Sequence, residues 1–214
     1  MSEKPTVLVD QVPKVVVLRL PQYVRALGDL LQRHVTVVSS QQLGAYLQMT
    51  PAQIRKDLSY FGRYGKQGRG YPVGYLLREL RQVLGLEKVW NTCLVGVGRL
   101  GRAIISYPGF TPEGFNIVAA FDMEQSADVG SNIGRLVVQP ISDMERTIQK
   151  LDVVIAIVAV PAVDAQSVID QLVSSGVQGI LNYAPIGAQV PDDIQGRNID
   201  PVLALQSMTY YLSL

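Results

Sequence analysis

The strongest constraint on the fold is the pattern G-x-G-x-x-G formed by Gly96, Gly98 and Gly101. The strand-like stretch "TCLV" precedes it and the helix-like stretch "RLGRAIISY" follows it, as a dinucleotide-binding fingerprint requires. The first glycine permits a tight turn, the second lets the backbone approach a pyrophosphate, and the third allows helix and strand to pack closely. N–H groups at the start of the helix would bind the phosphates. We therefore predict cofactor contacts along the whole turn, at Gly96, Val97, Gly98, Arg99, Leu100 and Gly101.

The next predicted strand ends in an acid. "NIVAAFD" ends at Asp122, 21 residues after Gly101, where a carboxylate can bind the ribose hydroxyls of the cofactor. Because an acid at this position repels a 2′-phosphate, it favours NAD(H) over NADP(H). The simpler interpretation, an acid in a strand-end turn, carries less weight once the three glycines are in place.

Strands and helices alternate through the rest of the C-terminal half. "DVVIAIVAV" is a continuous apolar run, typical of a central parallel strand covered on both faces. The alternation predicts a small doubly wound Rossmann-like α/β domain over residues 89–200. Turns at two strand ends are either further cofactor contacts or plain connections; the candidates are Val160, Pro161, Asn182 and Tyr183.

Charge divides the chain into two unlike halves. Residues 1–90 contain 13 Lys and Arg against 6 Asp and Glu, whereas residues 91–214 contain 6 against 12. This asymmetry predicts a basic half that faces something anionic, although two solvated surfaces that happen to differ would give the same counts. A single Cys and the lack of a signal-peptide apolar core in "MSEKPTVLVDQVPK" indicate a cytoplasmic protein.

The basic half contains two short predicted helices joined by a tight turn. In the second, Thr50 is the expected N-cap, Pro51 the first residue, and Gln53 the partner that closes a capping box. Ile54, Leu58 and Phe61 share one apolar face. The outward face then carries cations, an amide and small residues, with one acid, Asp57, to the side; the candidate DNA contacts on it are Gln53, Arg55, Lys56 and Ser59.

This arrangement predicts a helix-turn-helix that reads DNA, and an ordinary solvated helical hairpin is the alternative. The following stretch, "GRYGKQGRGY", favours the first interpretation, because glycines alternate with cations and no acid is present. A basic hairpin after a recognition-type helix predicts a winged-helix domain over residues 1–88, and its tip can reach phosphates or a minor groove. The wing candidates are Arg63, Lys66 and Arg69.

The C-terminal half lacks the usual equipment of a dehydrogenase. A hydride-transfer enzyme needs a proton donor beside the acceptor, usually His, Lys or Tyr. This half has no His and one Lys, Lys150, and neither Tyr107 nor Tyr183 lies in a Tyr-x-x-x-Lys pattern. No catalytic residue and no metal ligand is predicted.

The last segment is unusually apolar. Asp200 suits an N-cap and Pro201 a first turn, and residues 201–214 carry no charged side chain. A helix that is apolar on most sides should be buried, and a second subunit is the expected cover. A twofold dimer would also present two recognition helices to a palindromic site.

Four stretches together resemble the Rex family of bacterial redox-sensing repressors: "RLPQYVRAL", "TPAQIRKDLSYFGRYGKQGRGYPV", "GVGRLGRAI" and "FD". The resemblance implies a homodimeric winged-helix repressor with a Rossmann-like domain and a C-terminal helix, 201–214, exchanged between subunits. Such a repressor binds palindromic operators when NADH is low and releases them when NADH binds.

The resemblance also implies a switch made of three residues that links the nicotinamide to domain orientation: Arg19, Tyr107 and Asp200. Each also has a simpler interpretation: Arg19 as a surface cation, Tyr107 as a ring that packs on a helix, and Asp200 as an N-cap. Two other functions stay open at this point. One is a small NAD-dependent oxidoreductase with an unusual N-terminal domain, and the other is a repressor that senses a different nucleotide ligand, such as a CoA compound.

Overall fold

The computed structural model of the chain describes residues 12–62, 64–65 and 69–213. Packing divides the chain into two compact units, 1–88 and 89–214. Each is described by itself. In the described ranges, no helix is both long enough and apolar enough to cross a membrane.

The first unit is helical with a small antiparallel sheet. Its elements are α1 Lys14–Gln32, β1 Val37–Val38, α2 Ser40–Leu47, α3 Pro51–Ser59, β2 Tyr71–Pro72 and α4 Val73–Val83. Val37 pairs with Pro72 and Val38 with Tyr71. The core includes Leu20 of α1, Leu43 of α2, Ile54 of α3 and Leu76 of α4, all fully buried. Helices α2 and α3 are the two short helices joined by a tight turn that the sequence predicted.

Helix α3 begins and packs largely as expected. The Thr50 hydroxyl accepts the Gln53 backbone N–H at 3.2 Å, and Pro51 occupies the first turn. Ile54, Leu58 and Phe61 are buried, as their spacing predicts. The predicted capping box is wrong in its second half, because the Gln53 side chain donates to Asp57 and does not accept the Thr50 backbone N–H.

The second unit is a seven-stranded sheet with helices around it. Its strands are β3 Trp90–Val95, β4 Phe115–Asp122, β5 Asn132–Ile133, β6 Leu136–Pro140, β7 Ile155–Val158, β8 Gly179–Asn182 and β9 Gln195–Asn198. Their spatial order is β5-β6-β4-β3-β7-β8-β9. All neighbours are parallel except β5 and β6, which pair antiparallel at one edge.

Strand order from β6 to β9 is that of a Rossmann-type dinucleotide-binding sheet, with its topological reversal between β3 and β7. The connecting helices are α5 Arg99–Ser106, α6 Met144–Lys150 and α7 Ala162–Ser174, with 3₁₀ turns at Thr111–Glu113 and Ile141–Asp143. Ligands of such sheets bind at the carboxyl ends of the strands beside this reversal. The fold therefore places the candidate cofactor site after β3, β4, β7 and β8.

The last helix, α8, runs from Pro201 to Leu212 and is capped by Asp200, whose carboxylate accepts the Val202 N–H at 2.9 Å. A second subunit is the predicted cover for this helix, and in the single chain every described residue of it is exposed. Leu203, Leu205 and Tyr211 are 62%, 60% and 76% exposed. One chain alone does not cover its most apolar helix.

Candidate nucleotide and DNA sites

The glycine-rich turn follows β3 directly and opens α5. Gly96 has φ +97°, and a Cβ there would lie 2.5 Å from the Ala159 carbonyl oxygen, so only glycine fits. A Cβ at Gly101 would overlap the Gly96 carbonyl oxygen, so this glycine lets α5 pack against the turn. At Gly98, by contrast, no described heavy atom lies within 4 Å of an added Cβ. Gly98 is exposed, so this open space faces solvent and not the protein core.

This turn has the properties of a phosphate cradle. Gly98 is the N-cap of α5 and its side-chain-free backbone is exposed. Arg99 and Leu100 are also exposed, whereas Val97 is fully buried and stays a prediction as a cofactor contact. The first turn of α5 holds no acid, so its N–H groups and partial positive charge are available to an anion.

Asp122 lies at the end of β4, the strand next to β3. Its Oδ1 accepts the Met123 N–H and its Oδ2 accepts the Ser126 hydroxyl, both at 2.9 Å. Ser126 in turn accepts the Asp128 N–H at 3.2 Å, and Asp128 pairs with Arg102 of α5. This chain of contacts orients the carboxylate, and a carboxylate with two donors retains lone pairs for ribose hydroxyls.

Of the two predicted strand-end turns, the one after β7 lies beside the glycines. An added Cβ on Gly96 would come within 2.9 Å of Val160 Cγ1, so this turn and the glycine-rich turn are neighbours. Val160 is half-buried and Pro161, the cap of α7, is exposed.

The turn after β8 is more structural. Asn182 is buried; its Nδ2 donates to the Ala184 carbonyl and its Oδ1 accepts the Ala184 backbone N–H. The Nδ2 also donates to Asn198 Oδ1 at 3.1 Å. Its polar atoms therefore shape the turn, while half-buried Tyr183 follows it. Asn182 and Tyr183 stay predictions as cofactor contacts.

Tyr107 follows the last residue of α5 and is 60% exposed, with its ring edge-to-face on Phe110 at a centroid distance of 5.4 Å.

Cys93 in β3 is buried, and burial raises the pKa of its thiol to about 12, so it is not a nucleophile near neutral pH. Within the described ranges, no three His, Cys, Asp or Glu side chains gather as metal ligands.

The proposed DNA surface is the outward face of α3. Arg55, Lys56 and Ser59 are exposed on it, while Gln53 is half-buried. Arg55 donates to Ser40 Oγ of α2 at 3.1 Å, and the Ser59 hydroxyl donates to the Lys56 carbonyl at 2.7 Å. Arg69 of the wing is exposed, whereas Arg63 and Lys66 lie outside the described residues. The face is cationic where the sequence predicted it to be.

Asp57 does not lie on that face, which corrects the sequence interpretation. It is fully buried and accepts hydrogen bonds from Arg19 Nε at 2.6 Å, Arg19 Nη2 at 2.7 Å, Tyr23 Oη at 2.9 Å and Gln53 Nε2 at 2.6 Å. We call Arg19, Tyr23, Gln53 and Asp57 the Asp57 cluster. Burial alone would raise the pKa of Asp57, but these donors hold the pKa below its usual value.

The switch residues suggested by the family resemblance have identifiable partners within their own units. Arg19 forms the bidentate ion pair with Asp57, and its side chain is 22% exposed. Asp200 caps α8 and Tyr107 packs on Phe110. Their action as one switch stays a prediction.

Comparison with known proteins matches a segment of each unit to a described family. Residues 11–59 match the family described as "Putative DNA-binding protein N-terminus", and residues 87–186 match "CoA binding domain". The chain is 52% identical to the redox-sensing transcriptional repressor Rex of Chloroflexus aggregans, over 95% of this chain and 96% of that protein. It is 43% identical to Rex of Brevibacillus brevis, over 95% of this chain and 98% of that protein.

Solved structures agree at the level of the fold. A crystal structure of RSP in complex with beta-NAD+ and operator DNA is 37% identical, with a TM-score of 0.89 over 94% of this chain and 92% of that one. The structure of RSP in complex with beta-NADH is 36% identical in sequence, with a TM-score of 0.86 over 94% of each chain. RSP is described as a Rex-family repressor.

A basic helix-turn-helix unit and a dinucleotide-type sheet in one chain define a ligand-responsive transcription regulator. The identity over nearly the full length makes the assignment specific: the chain belongs to the Rex family of redox-sensing transcriptional repressors. Because its relatives are repressors, the alternative of a small NAD-dependent oxidoreductase is set aside.

Proposed function

We propose that this protein represses transcription by binding a palindromic operator and releases the DNA when NADH binds. Residues 1–88 would bind DNA, residues 89–200 would bind NADH and NAD⁺, and residues 201–214 would join two chains. The observation that carries this proposal is the pairing, in one chain, of a cationic α3 face with an open phosphate cradle at Gly98. A repressor works where the chromosome is, so we place it in the cytoplasm.

The nucleotide is held by the turn after β3, by Asp122, and by the strand-end turn containing Val160 and Pro161. The α5 N–H groups would bind the pyrophosphate, and Asp122 the ribose hydroxyls. An acid at this position selects NAD(H) over NADP(H). The family description of residues 87–186 as a CoA binding domain makes a CoA compound the alternative ligand.

The homodimer is proposed from the tail. Helix α8 carries seven large apolar side chains that are more than half exposed, namely Val202, Leu203, Leu205, Met208, Tyr210, Tyr211 and Leu212. A partner subunit that covers them would remove this surface from water. A twofold dimer would also place two α3 helices on two half-sites.

The sensing step must involve the nicotinamide end. NADH and NAD⁺ share the contacts of Gly96, Gly98 and Asp122, so these contacts cannot distinguish them. A ligand shifts an equilibrium only by its differential affinity for the two states. Because the oxidised ring carries a positive charge, an acid near it is the natural sensor. We assign this role to Asp200, acting with Arg19 and Tyr107.

The test is direct. An operator duplex is selected from a random-sequence pool by the protein itself, and binding is followed by fluorescence anisotropy with NADH, NAD⁺, NADPH or CoA. We expect NADH to release the duplex at the lowest concentration. Release by CoA but not by NADH would establish the alternative ligand, and steady turnover of NADH with a carbonyl substrate would reopen the enzyme interpretation.

A further inference from the structure

The most heavily bonded charged group among the described residues is not in the nucleotide site but inside the DNA-binding unit. The carboxylate of Asp57 accepts four hydrogen bonds, close to the number of lone-pair sites that it has. A carboxylate satisfied in this way is a structural anchor and not a ligand receptor.

The donors connect two helices. Arg19 and Tyr23 belong to α1, whereas Gln53 and Asp57 belong to α3. Arg19 contributes two parallel N–H···O bonds, and a guanidinium fork fixes orientation as well as distance. The cluster therefore sets the rotation and tilt of α3 against α1.

Two DNA candidates on α3, Arg55 and Lys56, lie outside this cluster. Lys56 immediately precedes Asp57 and Arg55 lies two residues before it; both are exposed. A small rotation of α3 would move these side chains away from base edges. Base reading needs geometry held to about 0.5 Å, whereas phosphate contacts position the protein but carry no sequence information.

We propose that the Asp57 cluster positions α3 for reading bases, and that Arg19 acts on DNA binding through Asp57. This inference rests on the proposed function. Arg19 is partly exposed, so any acid that draws its guanidinium away would leave Asp57 buried with two donors and loosen α3. Arg19 would then affect the recognition helix without touching DNA.

The same unit contains a second contact between a tyrosine hydroxyl and an aspartate, which supplies matched control variants. Asp29 also accepts a tyrosine hydroxyl, from Tyr46 at 2.9 Å, but this pair is exposed and does not include α3. Asp57→Asn is therefore compared with Asp29→Asn, and Tyr23→Phe with Tyr46→Phe. Each pair removes the same charge or the same hydroxyl from the same unit.

The measurement is the ratio of operator affinity to random-duplex affinity in the full chain, well below each variant's melting temperature. We expect Asp57→Asn to lower the ratio about tenfold, comparable to one mismatched base pair in the site. Tyr23→Phe should lower it by less, about threefold, since the ion pair remains. Asp29→Asn and Tyr46→Phe should leave the ratio within about twofold, because charge loss alone acts on all DNA alike.

If the ratio of operator to random-duplex affinity is the same for Asp57→Asn as for Asp29→Asn, the positioning role is refuted. The proposed function is tested separately, by operator binding of the wild type and its release by NADH. If Asp57→Asn does not fold, Arg19→Lys decides, because lysine keeps the charge and loses the fork. It is compared with Arg25→Lys, an exposed position on the same helix. An Arg19→Lys ratio equal to that of Arg25→Lys would equally refute the positioning role.

Discussion

The two units bury polar groups in different ways. Among the described residues, the DNA-binding unit buries one charged side chain, Asp57, whereas the buried polar side chains of the nucleotide unit are neutral: Thr92, Thr147, Ser175 and Asn182. The first unit presents long cationic side chains, whose direction depends on the helix that carries them. The second presents backbone N–H groups at a glycine turn, whose direction is fixed by φ and ψ. The one buried charge thus lies in the unit whose proposed DNA contacts are made by side chains.

Surface charge follows the same division. The half with the proposed DNA surface has an excess of Lys and Arg, and the half with the proposed nucleotide site has an excess of acids. We therefore expect a cofactor phosphate to be bound mainly by dipoles and DNA to be bound mainly by charges. The DNA affinity should fall steeply with salt, and the NADH affinity should change much less.

The largest expected effect comes from the tail. Deleting residues 202–214 removes the apolar helix that the single chain leaves uncovered, and leaves its counterpart surface bare. We expect monomer or aggregate in place of dimer, measured by light scattering after size exclusion. A well-behaved dimer after the deletion would place the interface elsewhere. Both units should keep their melting transitions, because α8 contributes no described buried residue.

The next effect is at Asp122. Replacing it by Ala removes charge-assisted bonds to the ribose, each worth about 1.5–3 kcal/mol, so NADH and NAD⁺ should both bind roughly 10-fold weaker or more. Calorimetric titration of both nucleotides measures this. Ser126→Ala, which removes only the hydroxyl that orients Asp122, should cost less. Loss of NADH binding with NAD⁺ binding unchanged would contradict a ribose contact.

Substitutions on α3 and in the wing should separate two kinds of DNA contact. Arg69→Ala should weaken binding to all sequences and reduce the salt slope by about 0.9, because one phosphate or groove contact is lost. Lys56→Ala should in addition lower discrimination between operator and random duplex. If Lys56→Ala weakens both duplexes equally, Lys56 does not read bases.

The smallest effect is a pH dependence. The pKa of Asp57 is lowered in the folded protein, so the stabilisation from its ionised form is present above its ordinary value and is lost as pH falls through the folded value. Wild type should therefore exceed Asp57→Asn in melting temperature at pH 6–7 by an amount that shrinks at acid pH, roughly below pH 4. A difference that stays constant down to pH 2 would show that the ionised carboxylate is not the stabilising form.

Much of this molecule follows from local patterns in the sequence. The glycine spacing, the Thr50 cap and the i, i+4, i+7 face of α3 are determined within a few residues, and each is present in the structure. Strand β9 was not predicted, because "QGRN" at a sheet edge has no apolar pattern.

The burial of Asp57 and its pairing with Arg19 could not be predicted from the sequence. On a helical wheel Asp57 lies beside the apolar face, where a solvated and a buried acid look alike, and its partner Arg19 is 38 residues away. One signal was available: Arg19 and Tyr23 are four residues apart on α1, as are Gln53 and Asp57 on α3, so each pair shares a helix face. Pairing the two faces required the tertiary structure.

The coupling of a nucleotide site to a DNA site in one chain is tested most directly by linkage. Operator affinity is measured with and without saturating NADH, and NADH affinity with and without saturating operator. We predict that both ratios equal one coupling factor, about 5–150-fold, and that Asp200→Ala brings it near one while NADH still binds. NADH affinity that is unchanged by operator in the wild type would contradict the account, and a wild-type factor in Asp200→Ala would contradict its switch.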